Sequence, residues 1–478
     1  MDDDAGTHVV RSILRNTQRH TIPRTSILTL VPFMSLHPST TFRGSLRSAM
    51  ANYGMVFVLL FLMLVFSLLT VKEQRATGSD AGRQLADQIV TQYGLRAQVF
   101  ISVPASADDK AFAAAIEGSI RKAGGTVLGS VAGTPADARQ KLELLFAAGT
   151  RIDVVAVTGA SADWKVWDRF PQLTPPVFAV PRPGRWPSFL TRSNLIGVAN
   201  QTAIYAVIAI GMTMVIICGG IDLSVGSLVA LSSVAATILL RDFAGGVSAA
   251  PVSVAFACLA GILLTAAAGF FNGLMVTQAS LPPFLVTLAM MLMAKGLAMR
   301  LSNFTSINAV PPSFRWLGGD STVGLPNPVL IMIILYALAH VIMQRSVFGR
   351  VLYAIGGNAE AARLAGIQVR KTQLVVYTIS GALAGLGGII LSSRLNAGDP
   401  KYGDMFELNV IAAVVVGGTS LMGGEGRMLG TLIGAFVIAI IRNGMNLMSV
   451  AASNQQIALG AVLLLSVLAD RFKRRPNR

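Results

Sequence analysis

The chain has 478 residues, of which 53% are hydrophobic and only 13% are charged, and its mean hydropathy is +0.62. Soluble domains average about 25% charged residues, so a large part of this chain cannot face water. The formal net charge is +16. The basic residues lie in separated stretches without interleaved aromatic side chains, which argues against a nucleic-acid-binding surface. The four histidines are too scattered to suggest a catalytic or metal-binding cluster.

Ten apolar runs predict membrane-spanning helices, because about 20 apolar residues cross a bilayer. The runs are 53–71, 203–219, 224–240, 252–270, 282–300, 328–344, 372–392, 408–419, 428–442 and 455–469. The chain is thus predicted to be an α-helical polytopic membrane protein with about ten transmembrane helices. A small α/β domain is inserted after the first helix.

The basic residues predict how this bundle is oriented, since short cytoplasmic loops carry the excess of Lys and Arg. Six basic residues lie in the first 51 residues, five in the loop 344–371 and five in the last nine residues. The short loops of the opposite side hold six. We therefore expect both termini in the cytoplasm. The expected parts are a tail (1–51), a first helix (52–71), an outer α/β insertion (72–192), the transmembrane domain (193–470) and a basic tail (471–478).

The insertion has the composition of an ordinary soluble domain. AQVFISV (97–103), TVLGSV (126–131) and IDVVAVT (152–158) predict buried strands, and VFAV (177–180) predicts a fourth. The segments 108–125 and 135–149 predict helices, the first from apolar residues at fourfold spacing. Strands that alternate with helices of this length indicate a parallel sheet.

Glycine-rich stretches interrupt the apolar runs at two places, CGGIDLSVGS (218–227) and VVVGGTSLMGGEGR (414–427). In the first, Asp222 and Ser224 are good helix N-caps and the glycines permit a sharp reversal. One interpretation is a tight, capped hairpin. The other is a broken helix beside a transport path, because irregular backbone at membrane depth needs protein or a water-filled cavity around it. A third stretch, SGALAGLGGII (380–390), predicts close helix packing.

Four separated blocks resemble, in order, the permease subunits of ribose-type ABC importers. The blocks are GGIDLSVGSLVALSS (219–233), FNGLMVTQASLPPFLVTLAMMLMAKGLA (271–298), the stretch 348–390, and ELNVIAAVVVGGTSLMGGEGRMLGTLIGA (407–435). The resemblance implies a bacterial inner-membrane protein that moves a monosaccharide or polyol. The partners it implies are a second permease chain in a homodimer or heterodimer, a cytoplasmic ABC ATPase, a periplasmic sugar-binding protein and membrane lipid. The insertion departs from the family pattern. It is similar to one lobe of periplasmic sugar-binding proteins, and a folded spacer is the alternative.

ATP hydrolysis is expected in the partner, because the chain has no G-x-x-x-x-G-K-[ST] phosphate loop. This chain is therefore expected to be no enzyme and to hold no cofactor or metal, while ATP and Mg bind the ATPase. The resemblance places the contact with the ATPase in the loop 345–371, on a short helix from Ala359 to Leu364 that ends at Gly366. The expected coupling residues are Glu360, Ala361, Ala362, Arg363, Ala365 and Gly366. The alternative is an amphipathic helix on the lipid surface.

Residues for the substrate pathway are expected among side chains that can hydrogen-bond to or stack on a sugar. They are Asp222, Ser224, Asn272, Phe284, Thr287 and Asn409. The expected structural glycines are Gly219, Gly220, Gly417, Gly418, Gly423 and Gly424. Lys295, near the end of a span, is expected to extend to the membrane interface.

Two other functions stay open. An ion-coupled secondary sugar transporter usually carries acidic residues within its helices, and the spans here have almost none. A membrane sensor that uses 72–192 as a periplasmic ligand module would need a cytoplasmic output domain, for which the loops are too short.

Overall fold

A computed structural model of the chain describes residues 42–173 and 178–473. The predicted tails, 1–51 and 471–478, therefore lie largely outside the described residues, and so does the first residue of the predicted strand 177–180. All contacts below belong to the compact unit that begins at Tyr53.

Most of the described chain is helical. The helices are α1 Phe42–Leu69, α2 Ser79–Tyr93, α3 Ala107–Lys122, α4 Pro135–Ala147, α5 Gly159–Ala162, α6 Arg192–Ile217, α7 Val225–Ile238, α8 Pro251–Thr277, α9 Pro283–Leu301, α10 Asn327–Arg345, α11 Val347–Gly357, α12 Ala359–Leu364, α13 Val369–Leu395, α14 Phe406–Val416, α15 Met428–Leu447 and α16 Ala452–Lys473.

Within the described ranges, seven helices are long and apolar enough to cross a membrane: α6, α7 with its π-helical extension to Phe243, α8, α9, α10, α13 and α15. They coincide with seven of the ten predicted spans. The other three predicted spans are shorter apolar helices in the described residues, Gly54–Leu69, α14 and Ala452–Leu468. At 1.5 Å per residue the eleven residues of α14 extend only about 16 Å, about half of a bilayer's hydrocarbon core.

The small-residue stretch on α13 brings three helices together. A Cβ on Gly381 would overlap the carbonyl oxygen of Thr265 on α8, and one on Gly388 would overlap the carbonyl oxygen of Val229 on α7. From the α8 side, Gly269 meets the Tyr377 carbonyl in the same way. Glycine is required here because the backbones touch, which confirms the predicted close packing.

The insertion is an α/β unit on a two-stranded stalk. Its strands are β1 Val71–Arg75, β2 Gln98–Val103, β3 Thr126–Ala132, β4 Val154–Val157, β5 Phe178–Ala179 and β6 Pro183–Pro187. Strands β2 to β5 form one parallel sheet in the order β3-β2-β4-β5. Strands β1 and β6 pair antiparallel from Val71–Pro187 to Arg75–Pro183, so the chain enters and leaves the unit side by side.

Both faces of this sheet are covered. Leu85 and Ile89 of α2 pack with Phe112 and Ile116 of α3 on one side, whereas Leu142 of α4 lies in the cluster on the other. The predicted strands and the two predicted helices are confirmed to within a few residues. Helix α2 and the β1–β6 stalk had not been predicted.

Candidate functional site

The first break lies between the end of α6 at Ile217 and the start of α7 at Val225. Gly219 adopts φ +82, a conformation that favours glycine. The backbone N–H of Gly219 donates to Ile216 O (2.9 Å), and that of Gly220 donates to Val215 O (2.9 Å). A Cβ on Gly220 would collide with the Tyr377 hydroxyl of α13. The break is thus a closed turn packed against a neighbouring helix.

Asp222 is the centre of a buried hydrogen-bond network. Its Oδ1 accepts from the backbone N–H (3.0 Å) and the hydroxyl (2.6 Å) of Ser224, and its Oδ2 accepts from the Ser380 hydroxyl (2.8 Å). The Asn272 amide donates to the Ser224 hydroxyl (3.1 Å). All four side chains are fully buried. The network therefore ties the first break to α8 and α13 through side chains alone.

Two details of this network differ from the sequence-based expectation. Ser224 does stand at the N-cap of α7, but its side chain makes no capping hydrogen bond. Its hydroxyl donates to the Asp222 carboxylate instead, so the predicted capping by Ser224 is wrong. Asp222 forms a local turn onto Ser224 N–H, as Asp side chains commonly do at chain reversals.

The structure brings four of the six expected pathway residues together at the first break. Asp222, Ser224 and Asn272 share the network, and the buried Thr287 hydroxyl lies 3.2 Å from the Ile221 carbonyl oxygen. Phe284 is 51% exposed at the start of α9. The Asn409 amide donates to Met405 O (2.7 Å) at the start of α14. That a substrate touches these side chains stays a prediction.

The second break, 417–427, lies between α14 and α15 and is built from backbone contacts. Gly418, Gly423 and Gly424 have φ values of +88, +84 and +73. Gly417 meets the backbone of Gly430 so closely that a Cβ would overlap it. The N–H of Gly424 donates to Ile217 O (2.9 Å), the last residue of α6. The two breaks are therefore joined directly.

Helix α11 completes this junction. The Tyr353 hydroxyl donates to Gly426 O (2.8 Å). A Cβ on Gly356 would overlap both the Ile217 carbonyl oxygen and the Gly424 nitrogen. The loop between α10 and α13 thus touches the end of α6 and the second break, backbone against backbone.

Helix α12 follows α11 after a single residue, Asn358, whose side chain accepts from Ala361 N–H (2.9 Å) and caps it. The helix spans Ala359–Leu364, which confirms the predicted helix, and Gly366 just after it takes φ +84. Of the expected coupling residues, Ala362 is buried, and the others are exposed: Glu360, Ala361, Arg363, Ala365 and Gly366. The guanidinium of Arg363 hydrogen-bonds to Glu360 and lowers the pKa of that carboxyl. Leu364 is 78% exposed, an apolar side chain that sequence reasoning missed.

A charged cluster lies where the segment 397–405 runs along α7. Asp399 N–H donates to the Ser233 hydroxyl (3.3 Å), and Gly403 contacts the Gly226 carbonyl, about two turns earlier on α7. Asp404 on this segment binds the Lys295 amine of α9 at 2.6 Å. Lys295 is thus held by an acidic partner on a neighbouring segment, and its extension to the membrane interface stays a prediction.

Aromatic and basic side chains surround the end of this segment. The rings of Tyr205 and Phe406 have their centroids 4.5 Å apart. Arg442 donates to the Tyr205 hydroxyl (2.6 Å). No pattern in the sequence indicated these contacts, because the partners are about 200 residues apart.

Comparison with known proteins decides the family. The family described as branched-chain amino acid transport system, permease component, matches residues 194–467. The chain belongs to this permease family. Among its relatives is the ribose import permease of Escherichia coli K12, 42% identical over 292 residues, or 60% of this chain and 88% of the relative. The ribose import permease of Bacillus subtilis strain 168 is 40% identical over 60% of this chain and 87% of the relative. The L-arabinose ABC transporter permease of Azospirillum brasilense is 35% identical over 61% and 84%. None of the solved structures matches.

The family match covers both breaks and the α11–α12 loop of the permease, and it excludes the α/β unit. As the membrane component of an ATP-driven importer, the permease is not an enzyme. ATP hydrolysis belongs to a partner ATPase, and an importer of this kind also works with a substrate-binding protein.

Proposed function

We propose that this permease imports a monosaccharide or a related polyol, and that the α11–α12 loop couples it to its ATPase. The relatives named for ribose and arabinose support the class of substrate. The observation that supports coupling to the ATPase is the contact of α11 with both breaks. Any movement of α11 must displace the end of α6 or the second break, because Gly356 leaves no space between them.

Helix α12 is the proposed contact with the ATPase. Its exposed residues present an ion pair, Glu360 with Arg363, and an apolar side chain, Leu364, on one short helix. Buried Ala362 faces the permease itself. An exposed apolar residue beside charged ones is typical of a small protein interface, with an apolar centre and a polar rim.

The route for the substrate is proposed to pass the Lys295–Asp404 pair. These side chains are 35% and 49% exposed, and charges at membrane depth face a water-filled cavity or a partner rather than lipid. A second permease chain on this side would enclose such a cavity. Four buried residues would support the wall of this cavity: Asp222, Ser224, Asn272 and Thr287. Phe284 and Asn409 remain proposed contacts of the substrate.

The proposed topology has ten membrane passages in a bacterial inner membrane, with both termini in the cytoplasm and 72–192 in the periplasm. In this arrangement α14 and the segment 397–405 share one passage. Because α14 is too short to cross the membrane, the segment that runs along α7 would cover the remaining distance. The proposed domain limits are 52–71, 72–192 and 193–470.

Reconstituted vesicles test the function. They would contain the permease with its ATPase and binding protein, and uptake of radiolabelled D-ribose, L-arabinose and D-xylose would be measured. We expect at least one sugar to accumulate in the vesicle lumen. This accumulation should require ATP on the side of the membrane that the ATPase faces. Accumulation by the permease alone, driven by a proton or sodium gradient, would contradict the proposal and favour a secondary transporter.

A further inference from the structure

The α/β unit carries a cleft that the permease function does not use. Its volume is about 1120 Å³. One wall is the edge of the sheet, at Ser106 to Asp109 and at Thr158 to Ala160. The other wall is the stalk, with Arg75 and Pro183, and the start of α6, with Arg192 and Ile196. The cleft therefore lies between the unit and the first helix of the region that matches the permease family.

The topology of the sheet explains why a cleft forms here. From β2 the chain crosses through α3 to β3 on one side, whereas β4 is followed by β5 on the other side. The segments that leave β2 and β4 consequently diverge at the carboxyl edge of the sheet. In open parallel sheets, ligands bind in the crevice at this switch point. Thr158, which caps α5, directly follows β4, and Ser106, which caps α3, lies three residues beyond the end of β2.

The lining has both signs of charge. Asp108 and Asp163 contribute exposed carboxylates, and Arg75 and Arg192 contribute guanidinium groups. Among the described residues, none of these four is within ion-pair distance of an opposite charge. Together with Glu73 and Asp109, the lining has more acids than bases, which disfavours an anion. Carboxylates accept and guanidinium groups donate hydrogen bonds, so the set suits a neutral ligand with several hydroxyl groups.

We infer that this cleft binds a monosaccharide and holds it beside α6, at the outer mouth of the permease. The inference rests on the proposed function, because it takes 72–192 to be periplasmic and the cargo to be a sugar. The cleft volume slightly exceeds the usual range of small-molecule pockets, about 300–1,000 Å³, so a single sugar fits with water around it. The stalk forms one wall of the cleft. The chain thus has a sugar site of its own, in addition to any site on a separate binding protein.

The test is equilibrium binding of radiolabelled D-ribose, L-arabinose and D-xylose to the full-length permease in lipid nanodiscs, without ATPase or binding protein. We expect saturable binding of at least one sugar. The double variant Asp108→Asn/Asp163→Asn should weaken it about tenfold or more, since hydrogen bonds to charged acceptors are stronger than those to neutral ones. Asp87→Asn is the matched control, because Asp87 is an exposed aspartate of the same unit and does not line the cleft. It should leave the affinity unchanged.

Three outcomes would overturn the inference. The first is no saturable binding of any of the three sugars. The second is sugar binding that the double variant leaves unchanged, which would place the sugar elsewhere in the permease. The third is binding of ⁴⁵Ca²⁺, but not of sugar, that the double variant abolishes. ATP-driven sugar uptake that persists in any of these cases would leave the proposed function standing and remove only the cleft site.

Discussion

The two breaks in the membrane helices satisfy the polar groups of irregular backbone in different ways. At the first break, the polar groups are satisfied by side chains, with Asp222 bonded to Ser224 and Ser380. At the second break, glycines let backbones touch, as in the bond from Gly424 N–H to Ile217 O. The first break should therefore be sensitive to lost hydrogen bonds, and the second to added volume. Helix α11, where force from an ATPase would arrive, touches the second break at Gly424 and the end of α6 at Ile217.

The largest effect is expected from added volume at the junction. Gly356→Val would force α11 away from Ile217 and Gly424, and rigid backbone on both sides leaves no way to relax. Overpacking typically costs about 1–3 kcal/mol and more where nothing can shift. We expect ATP-driven uptake to be lost. Gly357→Ala is the control, since a Cβ there meets no atom within 4 Å. Equal loss in both variants would contradict the special role of Gly356.

The first break should instead lose stability when its hydrogen-bond acceptor, the Asp222 carboxylate, is removed. Asp222→Ala leaves the hydroxyls of Ser224 and Ser380 buried without their acceptor, at a cost of about 1–3 kcal/mol each. A lower unfolding midpoint in detergent measures this loss. Ser380→Ala, which removes one donor, should cost less than Asp222→Ala. An unchanged midpoint for Asp222→Ala would show that the network does not stabilise the break.

A change on the exposed side of α12 should affect coupling without affecting stability. Leu364→Asp places a charge at the proposed ATPase contact, and we expect ATP-driven uptake to fall about tenfold while the unfolding midpoint stays the same. The control is Leu144→Asp on α4, a comparably exposed leucine of the α/β unit. Normal uptake and normal ATPase association in Leu364→Asp would remove α12 from the coupling contact.

The smallest effect is expected from one hydrogen bond at the junction. Tyr353→Phe removes the bond to Gly426 O and keeps the ring, at a cost of about 0.5–1.5 kcal/mol. Tyr336→Phe removes a similar bond, to Ala206 O, away from the junction. Initial uptake rates should fall severalfold only in Tyr353→Phe. Equal rates in the two variants would indicate that α11 does not transmit motion through Tyr353.

The sequence predicted the parts of the molecule that depend on local chemistry. Apolar length predicted the long helices, clustered glycines predicted both breaks, and the isolated Gly366 predicted the end of α12. It did not predict Ser380 as a partner of Asp222, because the two are 158 residues apart. Nor did it indicate that Gly356 is the closest contact of the junction, since a glycine pair at a helix end, here Gly356 and Gly357, usually only terminates the helix.

Two elements of the α/β unit escaped prediction for physical reasons. The strand β1, VKEQR, is almost entirely exposed and has no apolar alternation, so only its pairing with β6 defines it. Helix α2 contains Gly82, which lowers helix propensity. That glycine is needed because the helix packs onto the backbone carbonyl of Phe112. In both cases tertiary contact determines a structure that local pattern does not.

The most direct test of the account is whether α11 and the second break move as one body during transport. Gly357→Cys and Glu425→Cys place two exposed thiols on neighbouring segments, and a short bifunctional maleimide would join them. ATP-driven sugar uptake would then be measured, with the variants that carry only one of the two added cysteines as controls, since the native Cys218 and Cys258 are buried. The account predicts that uptake continues after cross-linking. Uptake that stops only in the cross-linked double variant would show that the two segments must separate, and would contradict the account.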